Sequence, residues 1–474
     1  MKRDYLVWGG IVFIFIYKLY SVLLSPFNED ELAFVRYAWL MRQGYVPFRD
    51  FFDLSFPFFH ALVIPFLIFF HDPITAVLGI KIAFLALSFI SIILFYQFLI
   101  KILPKHVSLN TVLIYSLSYI HFIQNTLIRP PSLSIPLLVM IGYLYIQNKL
   151  LNKWLLLVLL TLTSLIDFRA CIVIIFVLLL RMKQGAMGLR FIISYCLMLL
   201  LTVLGTFFLI NVNLFPLLIK ILSHIPFRTD QTLYVTLHEW KGEWIILLIF
   251  IVIPFIKGGK FKNALRVGVL FLITLHFIFF RLRPYTFGPY VIPFIALIIG
   301  WFVASFHKKI QHLFFWGLLS VNFFIQTWNY THNFYDKDYV HEFHYDMTPA
   351  EQKMSMDIIH RALIHKQTVL NLSPFCYDLF NPVCFPLLRF IDDIHHVTRR
   401  IQKADEIFDS MLKWLEEANP DFIIYSEKHH RLRIDVEMSI FRNYMRIGKF
   451  LYKRKQGHDP VKSSRYEKPS WMNY

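Results

Sequence analysis

Apolar residues in this chain come in long runs separated by short polar stretches. Runs at roughly 5–24, 74–100, 107–124, 132–148, 191–212, 244–256, 265–280, 285–305 and 311–328 lie near the ~17–25 residues that a membrane-spanning helix needs, several of them short or interrupted by Pro. Two stretches are ambiguous. Residues 57–71 (PFFHALVIPFLIFFH) are short for a span, and 154–180 reads as one long helix or as a hairpin turning at Asp167-Phe168-Arg169. No cleavage pattern follows the first run, so Met1–Leu24 reads as a retained anchor. From residue 329 the pattern changes: 349–365 is helical, KQTVLNLS strand-like, 403–418 helical, and NPDFIIYSE and IGKFLYKRK strand-like. This predicts a polytopic α-helical membrane domain over 1–328 and a small soluble α/β domain over 329–474.

Composition agrees with lipid as the main solvent. The apolar set makes up 57% of the chain and charged residues only 17%, against roughly 25% charge in ordinary soluble domains. Disordered, collagenous and ordinary soluble enzyme classes are thereby excluded. A formal charge of +17 invites a nucleic-acid reading, but residues 1–328 carry 27 Lys and Arg against 11 Asp and Glu, whereas 329–474 carry 21 against 20. The surplus sits in the apolar part, where it reads as membrane topology and binding of lipid phosphates. No nucleic-acid partner is expected. Cys171 and Cys196 fall in apolar runs and read as packing residues, while Cys376 and Cys384 could pair if the C-terminal part is exported.

Charge asymmetry then orients the spans. With Lys2 and Arg3 inside, 57–71 not crossing and 154–180 a hairpin, the clusters Lys101/Lys105, Lys149/Lys153, Arg181/Lys183/Arg190, Lys257/Lys260/Lys262/Arg266 and Lys308/Lys309 all fall inside. The result is about 11 crossings in the cell (inner) membrane, a cytoplasmic N-terminus and a periplasmic or extracellular C-terminal domain. Ten of the 11 acids before residue 329 then lie on the outer side, although acids contribute little to orientation. Surface chemistry is a cause that would collect them there.

The densest chemistry is in residues 25–60. Glu29-Asp30-Glu31 precede a helical stretch, Leu32–Gln43, which ends at Gly44, a residue suited to the C′ position. Phe34, Tyr37, Trp39 and Met41 suit a bilayer interface. Asp50 and Asp53 add a second pair of acids. Such acids can act as general base toward an acceptor, or coordinate a divalent cation.

Here the chain resembles the GT-C glycosyltransferases, in the bacterial branch related to protein O-mannosyltransferases and the lipid A aminoarabinose transferase. The resemblance is carried by Asp30-Glu31, Phe34, Ala38, Gly44, Pro47, Phe48, Asp50-Phe51 and Pro57, and again by Arg281-Leu282-Arg283-Pro284-Tyr285 leading to Tyr290 and Pro293. It implies a polytopic fold, a polyprenyl-phosphate-linked sugar as donor, and Asp30 as catalytic base. Where the family has an acid in its second outer loop, this chain has Arg129-Pro130-Pro131-Ser132, which makes Asp50 or Asp53 the second acid. Arg169, beside Asp167, stands where the family often has Lys.

The expected function is transfer of a sugar from that donor to a lipid, glycan or protein acceptor at the outer membrane face. Asp30, Glu31 and Asp50 are the catalytic candidates, and Asp53 and Glu29 the candidates for orienting the acceptor or holding Mg or Mn. Arg129, Arg169, Arg281, Arg283 and Tyr285 are candidates for the donor phosphate, since guanidinium groups bind phosphate in bidentate fashion. Membrane lipids, the donor and the acceptor are the expected partners. A transporter or flippase for lipid-linked sugars, an O-antigen ligase or polymerase, and a non-catalytic assembly partner remain alternatives. The pairs His341/His344, His395/His396 and His429/His430 match no zinc-ligand spacing.

Overall fold

A computed structural model of the chain describes residues 2–24, 27–48, 56–118, 127–146, 153–183, 188–210, 284–306, scattered positions between 309 and 324, 349–371, 415, 420–425, 434–448 and 451–455. These residues are mostly helical, with one small sheet. The helices are α1 (Lys2–Leu24), α2 (Glu29–Arg42), α3 (Pro57–Phe69), α4 (Pro73–Leu99), α5 (Lys105–Leu117), α6 (Pro130–Ile146), α7 (Lys153–Ile166), α8 (Phe168–Lys183), α9 (Leu189–Leu209), α10 (Pro284–Ala304), α11 (Pro349–Ile364) and α12 (Ile434–Asn443). The strands are β1 (Val369–Asn371), β2 (Phe422–Ile424), β3 (Tyr444–Arg446) and β4 (Leu451–Arg454). Two of the described helices, α4 and α9, are long and apolar enough to cross a membrane. The expected spans at 244–256 and 265–280 lie outside the described residues, as does most of 311–328.

The elements group in two compact units. The first holds α1, α4 from Ile80, α5 to α9, and α10; the second holds α2, α3, the opening turns of α4, α11, α12 and the sheet. Residues 25–79 thus group with the C-terminal elements, although the sequence pattern puts them with the membrane domain.

In the first unit the helices enclose an apolar core that includes Tyr96, Tyr115 and Ile295, bury some polar side chains beside it, and leave large apolar ones exposed. Lys18 and Ser21 of α1, Ser88 and Ser91 of α4, and Ser164 of α7 are buried, while Phe13, Ile16, Leu197, Leu200 and Phe208 are exposed. Apolar side chains left exposed on the outer faces in this way suit helices that meet hydrocarbon. The hydroxyls bond mainly to carbonyls one turn back, as in Thr111 Oγ1 to Val107 O at 2.8 Å and Ser116 Oγ to Val112 O at 2.8 Å. Aromatic pairs run antiparallel between α1 and α4, Trp8 with Tyr96 (centroids 5.3 Å apart) and Phe15 with Phe89 (4.7 Å).

Two further contacts order this unit. Gly300 of α10 lies so close to α5 that an added Cβ would stand 2.6 Å from Thr111 Oγ1 and 2.9 Å from Leu103 Cδ1, so any side chain there would have to push these aside. His106 Nε2 meets Gln311 Oε1 at 2.7 Å, joining the start of α5 to the residues that follow α10. Charge asymmetry puts both ends on the cytoplasmic side.

In the second unit β1 runs parallel to β2, and β4 lies antiparallel between β2 and β3, giving the order β1-β2-β4-β3. The helix at 349–365 and the three strand-like segments expected there are α11, β1, β2 and β4. The helix expected near 403–418 lies outside the described residues, except that Leu415 is helical and buried. The pattern missed α12 and β3, which follow one another without a turn residue between Asn443 and Tyr444.

Candidate functional site

In the second unit, the loop acids are arranged by local capping. Asn28 is the N-cap of α2: its side chain accepts from the Asp30 N–H at 2.9 Å, and Glu31 Oε2 accepts from the Asn28 N–H at 2.8 Å. This is a capping box, and Asn-x-x-Glu is its sequence signature. Glu31 is fully buried and held by that bond, whereas Asp30 is half-buried. Glu29 opens the helix. The far end closes on Gly44, at φ 89°, whose N–H bonds to Met41 O while that of Tyr45 reaches back to Leu40 O. That is a Schellman motif, so the residue expected at C′ is there.

The expected interfacial face of α2 is not lipid-facing. Phe34 and Tyr37 are buried, with centroids 5.2 Å from Phe59 and 5.6 Å from His60 of α3 respectively; only Trp39 and Met41 are half-buried. The cause is α3, too short to span at 13 residues, which packs along α2 instead. Arg42 in the last turn of α2 donates to Leu67 O of α3. Arg36 and His60 are also buried here, which the local pattern does not signal.

In the first unit, α7 and α8 are separated by one non-helical residue, Asp167. Its carboxylate caps α8 by accepting from the Arg169 N–H at 3.0 Å, and accepts from Arg169 Nε at 2.9 Å and Nη2 at 2.7 Å. Asp167 is 4% exposed at the side chain and Arg169 32%, so the carboxylate is inside and the guanidinium reaches outward. Tyr290 of α10 lies 2.6 Å from Ser134 Oγ of α6 and stands near the Asp167–Arg169 pair. On the other side of the break, Tyr195 of α9 meets Ser164 Oγ at 2.5 Å and lies near Cys171. A straight helix would hold residues 164 and 171 ~10 Å apart, whereas α7 and α8 pack against one another, as they do when the chain turns at Asp167.

Arg129 precedes α6, whose first residues are Pro130 and Pro131, positions where a missing N–H costs little. The two prolines therefore begin a helix. Ser134 lies about 7 Å further along the same helix, so Arg129, Arg169 and the start of α10 share one end of this group of helices. Tyr285 lies in the first turn of α10. Asp50, Asp53, Arg281 and Arg283 lie outside the described residues, as do Cys376, Cys384 and the three His pairs. Cys171 is a buried packing residue as expected, but Cys196 is exposed on α9. Among the described residues no three His, Cys, Asp or Glu side chains gather into a metal-binding group. No family model matches the chain, and no curated protein does so.

Proposed function

We propose that the protein is a polytopic membrane glycosyltransferase that moves a sugar from a polyprenyl-phosphate carrier to an acceptor at the outer face of the membrane. Support comes chiefly from one observation: Arg129, Arg169 and the start of α10, all assigned to the outer side by charge, share one end of the first unit. In this reading Asp30 takes the acceptor proton as the acceptor oxygen or nitrogen attacks the anomeric carbon. Arg169 and Arg129, with Arg281, Arg283 and Tyr285, hold the phosphate that leaves and stabilise its growing charge. Asp167, Tyr290 and Ser134 orient Arg169 from behind. The capping bond occupies Glu31, so orienting the acceptor, or holding Mg or Mn, falls to Asp30 with Glu29, Asp50 and Asp53.

The test is a transfer assay on membranes supplied with a polyprenyl-phosphate sugar. Asp30→Asn is expected to lower transfer by ~100-fold or more, the usual contribution of a positioned general base. Wild-type transfer by that variant removes Asp30 from the mechanism. The transport alternative draws on Lys18 and Lys81, buried within the first unit; flipping of a lipid-linked sugar in liposomes, with no transfer, would favour it.

A further inference from the structure

We infer that the C-terminal domain fixes the position of the proposed base, with Gln352 as the positioning residue. Gln352 Oε1 accepts from the Phe27 N–H at 2.7 Å, and its Nε2 donates to Phe27 O at 3.2 Å, across 325 residues of sequence. The amide thus meets both polar groups of one peptide unit pair, as a neighbouring strand would. Gln352 is fully buried and Phe27 nearly so, so water does not replace these bonds. Phe27 immediately precedes Asn28, whose side chain and N–H form the capping box that sets the first turn of α2 and with it Asp30. Gln352 is itself held: Met356, Ile359 and Ala362, on the same stripe of α11, are buried, and α11 packs on β1. The sheet therefore anchors α11, α11 presents Gln352, and Gln352 fixes the start of the helix that carries Asp30. This inference rests on reading Asp30 as the base.

The experiment compares full-length wild type, Gln352→Ala and Gln352→Met, purified in detergent, by hydrogen exchange and by transfer kinetics. Methionine keeps the length and burial of the side chain without its amide, so it carries the test where alanine does not fold. Loss of the clamp is expected to speed exchange in the peptide 27–34 by roughly tenfold or more. Exchange in α5, α10 and the rest of α11 stays as in wild type, and kcat falls while KM for the donor is nearly unchanged. Unchanged exchange at 27–34 in a folded variant overturns the clamp. Faster exchange with unchanged kcat overturns its link to the base. Absence of transfer by the wild type sinks the glycosyltransferase reading instead, and leaves the exchange result to stand or fall by itself.

Discussion

At the scale of single residues, neighbouring acids have different work. Glu31 closes the capping box and Asp30 does not, although both precede the same helix. Glutamine can accept the Asn28 N–H as glutamate does, so Glu31→Gln is expected to stay folded and keep transfer within a few-fold of wild type, while Asp30→Asn loses it. Equal losses in the two variants would show that the pair acts as a unit. Arg169 gives a second residue-level expectation. Its removal leaves the Asp167 carboxylate buried without its guanidinium partner. Arg169→Ala should then cost about 2–3 kcal/mol, less than the 3–5 typical of a fully buried pair because Arg169 is partly exposed. Asp167→Asn combined with Arg169→Gln should recover much of that in thermal unfolding in detergent, and equal destabilisation of single and double variants would argue against the pairing.

At the scale of elements, hydrophobic runs placed α4, α6 and α9 to within a few residues, because long apolar stretches have few alternatives in lipid. The break at Asp167 was legible too, since an Asp and an Arg two residues apart cannot both lie on a lipid-facing surface cheaply. The environment of α2 was not. Its aromatic residues suit an interface or a protein core equally well, and only the packing of α3 decides between them. Gly300 shows the same limit from the other side. A glycine within an apolar run says nothing by itself, yet here it sets how closely α10 approaches α5. Gly300→Ala is expected to destabilise by about 1–3 kcal/mol, because Thr111 is held by its bond to Val107 O and does not move aside freely. Adding Thr111→Ala should return part of that stability; no recovery would mean that the clash lies with Leu103.

At the scale of the whole molecule, orientation is the decisive expectation. Reporters fused after Lys183 and after residue 330 should report cytoplasmic and external locations respectively. A cytoplasmic signal from the second fusion would overturn the topology and the placement of the acids with it. The sequence by itself determined that the chain is mostly helical and apolar, where its basic clusters lie, and which acids and arginines merit testing. Those features are local, written in runs, charges and spacings of a few residues. Only the tertiary structure decided that Glu31 is a capping residue, that α2 is buried against α3, and that Tyr290 and Ser134 stand behind the Asp167–Arg169 pair. It alone joined residues 27 and 352. Each of these depends on which faces meet across long sequence separations, and burial, which makes such bonds matter, is a property of the fold and not of any segment read alone.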